Sequence, residues 1–281
     1  MGIKPYIKLL RPSQWIKNLL LLFPPFFAGS VFSSSSLGNG IPALIAFCLA
    51  ASGSYIVNDI KDVEVDRNHA AKKSRAIANG DISVLTAICI AVALFVLAIV
   101  ISSQVSSSFW LYTMAYLLIS LSYTFLFKDI VILDIFVISA GFLVRVLAGG
   151  EAFSVAVSNW LFMTVFMVSL FLATGKRMGE LIHLGAVAHN HRKSLASYSP
   201  SFLDGILWFS ASSALVMYSL YTIEQSSGLF YTVPLAAFGL LRYIYIAKKG
   251  KGDPTEALIG DRQVMVVGIV WFLVICIVTY S

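Results

Sequence analysis

Apolar stretches of about 18 to 22 residues recur from one end of this chain to the other. Each is long enough to cross a hydrocarbon core of roughly 30 Å as a helix. Nine are expected: about 18–36, 41–58, 83–103, 108–127, 130–149, 157–175, 205–224, 229–247 and 263–280. The composition agrees, with 58% hydrophobic residues and 12% charged ones, against roughly 25% charged in soluble proteins. The expected fold is therefore all-α: a polytopic membrane protein of about nine transmembrane helices, forming a single domain over residues 1–281. MGIKPYIKLLRPSQW lacks an apolar core followed by a small-residue cleavage site, so no cleavable signal peptide is expected. Cys48, Cys89 and Cys276 all fall inside apolar spans without CxxC spacing and read as small core residues.

The net charge of +6 carries no nucleic-acid signal, because its placement serves topology. If the nine spans alternate direction, 19 of the 20 lysines and arginines fall on one side, and Arg145 alone lies inside a span. The opposite connections (SSSSLGNG, SSQVSSS, GGEAFSVAVSN, EQSSG) hold none. The positive-inside rule makes the charged side and the N-terminus cytoplasmic, with the C-terminus opposite. Twelve of the 14 carboxylates share that side, all except Glu151 and Glu224. Acidic residues contribute little to orientation, so they call for another reason.

NDIKDVEVD, residues 58–66, follows directly on the second span. Continued as a helix, it sets Asp59, Asp62 and Asp66 at i, i+3 and i+7, with Asn58 and Asp62 at i, i+4, nearly on one stripe. Like charges at that spacing repel unless a cation lies among them. Hard oxygen donors on one face suit Mg2+, whose shell is completed by water and phosphate oxygens. Lys72, Lys73 and Arg75 follow within HAAKKSRAIANG and are suited to phosphate. Acid beside base at one membrane edge suggests a Mg2+–diphosphate site, whereas a generic charged loop would be a solvated surface.

NDxxDxxxD at the end of a second transmembrane helix resembles the first aspartate-rich motif of the UbiA-type intramembrane prenyltransferases. That resemblance covers nearly the whole chain and implies a UbiA-like helical bundle with a cytoplasm-facing cavity. Enzymes of this family hold a substrate diphosphate on Mg2+ through aspartate-rich motifs on helices two and six, so Asn58, Asp59, Asp62 and Asp66 look like the first set of metal ligands. Where the aromatic prenyltransferases have a second DxxxD, this chain reads TGKRMGEL, with Lys176, Arg177 and Glu180. One metal cluster and one cationic cluster suit two separate phosphate-bearing substrates. RPSQWIKN, NDxxDxxxD, the KD(x)4D pattern from Lys128 to Asp134, SAGFLVRVLAGG, GKRxxEL and RKSLxxY at 192–198 together resemble the decaprenyl-phosphate phosphoribosyltransferase branch. That branch uses phosphoribosyl diphosphate and a polyprenyl phosphate, and makes a precursor of lipid-linked arabinose for cell-wall assembly.

The resemblance implies that the diphosphate sits on Mg2+ and the Asp59, Asp62 and Asp66 stripe, with Lys73 and Arg75 on its outer oxygens. Lys176, Arg177, Arg192 and Lys193 are candidates for the lipid phosphate or the ribose 5-phosphate. Gln14, Lys17 and Asn18, at i, i+3 and i+4, would share a helix face toward the same mouth, or serve as topological anchors. Tyr123 and Lys128 resemble the family's Tyr–Lys pair, although five residues separate them here where four are common. Asp134, one turn into span five, calls for a partner such as Lys128. Arg145 would bind a phosphate or pair with a helix neighbour. Tyr198 would bond a phosphate or mark the interface belt. His183, His189 and His191 lie in one loop without a tight zinc constellation.

Two other functions compete. An aromatic prenyltransferase of quinone or haem synthesis would need the second aspartate motif. A transporter would show ionisable groups through the midplane and repeated halves with broken helices, and neither is evident.

Overall fold

A computed structural model describes residues 2–31, 34–68, 72–184, 193–225 and 228–281, without the side chains of 34–37 and 193. Arg192, His189 and His191 lie outside the described residues, and no strand occurs within them. The helices are α1 (Lys4–Leu10), α2 (Phe23–Phe27), α3 (Ser34–Lys61), α4 (Val63–Arg67), α5 (Val84–Val105), α6 (Phe109–Ser122), α7 (Leu133–Ala152), α8 (Asn159–Leu184), α9 (Lys193–Ser197), α10 (Pro200–Gln225), α11 (Val233–Ala247), α12 (Pro254–Gly260) and α13 (Arg262–Tyr280). Eight of the described helical stretches are long and apolar enough to cross a membrane.

The first expected span is not one of the eight. Residues Pro12–Leu22 form an 11-residue 3-10 helix that runs into the short α2. Pro12, Pro24 and Pro25 lack the N–H that a continuous α-helix would use there. The expected loop SSSSLGNG is instead helical from Ser34 onward, and α3 carries Pro42 within it.

Two compact units are resolved, residues Met1–Phe127 with Val144–Ala156 and residues Lys128–Leu143 with Val157–Ser281. In the first, α5 buries Ala87, Ala91, Leu94, Ala98, Ser102 and Val105, the stripe that a 3.6-residue period predicts. It packs on Ala43, Ala46, Ala50 and Ala51 of α3, all fully buried. Small residues let helix backbones approach closely where lipid supplies no hydrophobic drive between helices. A Cβ on Gly149 of α7 would stand 2.1 Å from the carbonyl oxygen of Leu21, so the 3-10 helix also lies against bare backbone.

In the second unit α8 packs on α10, with Leu203, Leu207, Ala211 and Ala214 buried along α10. The loop before α12 presses onto α8 through glycines: a Cβ on Gly252 would lie 2.0 Å from the Gly175 carbonyl oxygen. Among the residues of α13, Ile275 alone is buried, and Trp271 Nε1 donates to the Tyr218 hydroxyl at 3.0 Å.

Candidate active site

In the first unit, α3 ends at Lys61, and Asp62 forms a turn before α4. The helical ladder nevertheless continues: Asp62 N–H donates to the Asn58 carbonyl at 3.0 Å and Asp66 N–H to the Asp62 carbonyl at 2.8 Å. Asn58 Nδ2 donates to Asp62 Oδ2 at 3.2 Å. Asp59 and Asp66 are buried, and two arginines neutralise them. Arg75 Nη1 bridges Asp59 Oδ1 at 3.0 Å and Asp66 Oδ2 at 2.5 Å, while Arg11 donates to Asp59 Oδ1 in a very short contact. Lys72 and Lys73 form a single 3-10 turn leading to Arg75. Among the described residues no three carboxylate, histidine or cysteine groups converge ready for a metal. The donor chemistry still fits a hard divalent ion, because Asp66 Oδ1 is buried without a hydrogen-bond partner beside these oxygens.

Arg11 is absent from the residues the motif suggested. It closes α1 in the left-handed conformation, φ 51° and ψ 59°, which is costly for a residue with a Cβ. Buried Ser52 pins this junction by donating to the Leu10 carbonyl at 2.8 Å and accepting from Trp15 Nε1 at 2.9 Å. The Arg11 guanidinium lies 5.3 Å from the Tyr55 ring centroid. Pro12 ends α1 but favours an extended residue before it, so Arg11 is held left-handed against that preference and no local signal marks it.

Gln14, Lys17 and Asn18 do not share a face. In a 3-10 helix residues i and i+3 eclipse, so Gln14 and Lys17 both meet the Tyr55 hydroxyl, each at 3.4 Å. Asn18 turns away into the core, where its Oδ1 accepts from Arg145 Nε at 2.8 Å and its Nδ2 donates to Cys48 Sγ at 3.3 Å. Arg145 is buried and also donates to the Tyr116 hydroxyl at 3.1 Å. Of the two readings of Arg145, pairing with helix neighbours is the one seen. Tyr123 opens a π-helical turn, Tyr123–Phe127. Such a turn closes i to i+5 hydrogen bonds, which accounts for five residues before Lys128 instead of four.

In the second unit, Asp134 is fully buried. Its partner is Arg177, Nε to Oδ2 at 2.8 Å, in place of the expected Lys128, whose backbone carbonyl instead accepts from Ser194 Oγ at 2.9 Å. The Tyr198 hydroxyl donates to Asp134 Oδ1 at 2.6 Å and accepts from Ile132 N–H at 2.7 Å. Ile132 holds φ 70°, a strained conformation for a β-branched residue. Tyr198 is thus a buried bridge and not an interface marker, and burial followed by its bond to Asp134 pushes the phenol well above its ordinary value. Arg177 Nη1 also pairs with Glu180 at 2.7 Å. Lys176 diverges to Asp253 at 2.8 Å. Each cation of TGKRMGEL therefore stands against carboxylate. Lys193 opens α9.

The UbiA prenyltransferase family matches residues 22–267 of the chain. Decaprenyl-phosphate phosphoribosyltransferase of Corynebacterium glutamicum is 35% identical over 98% of this chain and 86% of its own length. The proteins of that name from Mycolicibacterium smegmatis and Mycobacterium tuberculosis are 35% and 32% identical over 94% of this chain, and 89% and 91% of their own lengths. A UbiA homolog from Archaeoglobus fulgidus, solved bound to GPP and Mg2+, has the same fold, with a TM-score of 0.77 at 18% identity and 99% of each chain covered. Family match, full-length relatives and fold agree, and this integral membrane protein belongs to the UbiA prenyltransferase family.

Proposed function

We propose that the protein transfers 5-phosphoribose from phosphoribosyl diphosphate to a polyprenyl phosphate, releasing diphosphate, and that the lipid product feeds lipid-linked arabinose and cell-wall synthesis. The observation that carries this reading is identity of 32–35% over nearly the full length of decaprenyl-phosphate phosphoribosyltransferases. TGKRMGEL in place of a second aspartate motif supports it as well. The reaction would run on the cytoplasmic side, where the lysines and arginines gather.

Asn58, Asp59, Asp62 and Asp66 would hold Mg2+, which supplies positive charge to the departing diphosphate. Asp66 would offer the metal its Oδ1, which has no hydrogen-bond partner, while Asp59 keeps Arg11 and Arg75 on its Oδ1. Lys72, Lys73 and Arg75 would take the outer diphosphate oxygens, stabilising charge that grows as the C1–O bond breaks. An oxygen of the lipid phosphate then bonds to C1 from the opposite face, so the configuration at C1 inverts. That oxygen is already anionic at pH 7, so no side chain has to remove a proton. The basic residues Lys176, Arg177, Arg192 and Lys193 would serve the lipid phosphate. Arg177 would act from a position fixed by Asp134.

The test uses purified protein in detergent with polyprenyl phosphate, Mg2+ and radiolabelled phosphoribosyl diphosphate, followed by organic extraction. Label in the lipid phase, abolished by chelator and by Asp62→Ala, is the expected result. Absence of label together with prenylation of 4-hydroxybenzoate from a polyprenyl diphosphate would replace this reading with an aromatic prenyltransferase.

A further inference from the structure

Beside the acidic stripe of the first unit lies a cleft of about 180 Å³ lined by Lys8, Leu9, Arg11, Asp59, Ser74, Arg75 and Ala76. Three of its walls are cationic and one is a carboxylate. Arg75 also pairs with Asp66 just outside the lining, so the cleft and its paired carboxylates carry an excess of one positive charge, the sign that a phosphate monoester requires. Both arginines keep part of their side chains open, at 21% and 23% exposure, while Asp59 at the base is 5% exposed. Asp59 therefore holds the two guanidinium groups in place and leaves their remaining donors to the cleft. Five N–H donors on each guanidinium exceed what one or two carboxylate oxygens can take. The strained backbone of Arg11, pinned through Ser52, is what carries its side chain to Asp59 and Tyr55. A second cleft, of about 340 Å³ in the other unit, holds Lys248 against Asp204 and has no such excess.

We infer that this cleft is a phosphate-monoester site, with Arg11 and Lys8 as substrate-binding residues and Ser74 as a hydroxyl donor. It deepens the phosphoribosyltransferase reading and rests on it: Arg75 borders both the diphosphate oxygens and the cleft, so one donor molecule would place its diphosphate on the acidic stripe and its 5-phosphate among Lys8, Arg11 and Ser74. The lipid phosphate shares this chemistry and is the other possible source.

Calorimetric titration of the full-length protein in detergent with EDTA tests the site, since it needs no metal. Ribose 5-phosphate should bind saturably, and ribose should not. Lys8→Ala and Arg11→Lys should each weaken binding about tenfold or more, the scale of one charge-assisted hydrogen bond. Lys8 is exposed, so its substitution leaves the fold intact. Geranyl phosphate binding in place of ribose 5-phosphate, with the same sensitivity to both variants, would keep the site and assign it to the lipid acceptor. Binding of neither phosphate, or binding that both variants leave unchanged, would overturn the inference. Label transfer to lipid without ribose 5-phosphate binding removes only the cleft. Ribose 5-phosphate binding without label transfer removes the proposed reaction instead.

Discussion

Replacing Tyr198 by phenylalanine takes one oxygen out of the second unit and keeps the ring, so no cavity forms. That oxygen has two bonds: it donates to the buried Asp134 carboxylate and accepts from the N–H of Ile132. Loss of a hydrogen bond to a charged group costs about 1.5–3 kcal/mol, and a buried N–H left without a partner costs about 1–3 kcal/mol. The strained Ile132 backbone would lose its anchor as well. The expected destabilisation is about 3–5 kcal/mol, which at roughly 2–4 °C per kcal/mol lowers the melting temperature by about 6–20 °C. Thermal unfolding in detergent followed by tryptophan fluorescence reads this directly. Tyr231→Phe is the control, since Tyr231 is 78% exposed and should shift nothing. Because its raised phenol value keeps Tyr198 protonated, the deficit should be flat from about pH 5 to pH 9. A shift for Tyr198→Phe no larger than that of the control would refute the bridging role and restore the interface-belt reading.

Other outcomes follow from the same geometry. Gly252→Ala forces a methyl group onto the Gly175 carbonyl and should cost about 3 kcal/mol, seen as a lowered melting temperature. Burial alone would raise the Asp253 carboxyl, but the hydrogen bond and charge of Lys176, with two backbone amides of α12, hold it below its ordinary value. A depressed carboxyl adds stability above its unfolded value and loses it as pH falls through the folded one. Asp253→Asn should therefore be less stable than wild type in melting scans at pH 7, by under about 1 kcal/mol for so exposed a pair, with the difference shrinking as pH falls below about 4 and vanishing only below the depressed folded value. Asn18→Ala should lower stability by about 2 kcal/mol through Arg145 while leaving phosphoribosyl diphosphate binding unchanged. Lys17→Ala should do the reverse, with titration and melting separating the two.

Much of this was legible in the chain. The C-terminal ends of α10, α11 and α13 follow from the lengths of the apolar runs, which depend only on local sequence. The helical continuation through NDIKDVEVD was equally readable, since the ladder runs on past Lys61 and brings Asp59 and Asp66 to one arginine. What was hidden lies in long-range pairing. Lys128 is six residues from Asp134 and looked the natural partner, whereas Arg177 reaches it from 43 residues away. Arg11 looked like one topological charge among several, since nothing local announces that it will meet Asp59 from 48 residues away. Asn18 failed for a different reason: its direction depends on helix type, and three-residue periodicity is too short a signal to distinguish from a 3.6-residue one over 11 residues.

The 3-10 helix before α2 also changes how far a short stretch of chain reaches. At about 2.0 Å per residue its 11 residues extend roughly 22 Å, where an α-helix of that length would extend about 16 Å. The five residues of α2 add about 7 Å. The combined contour of about 30 Å equals the thickness of a bilayer's hydrocarbon core, drawn from 16 residues instead of the usual 20. A segment stretched in this way covers the distance of a full apolar span with 16 residues, so a count of long α-helices understates the reach of the chain before α3.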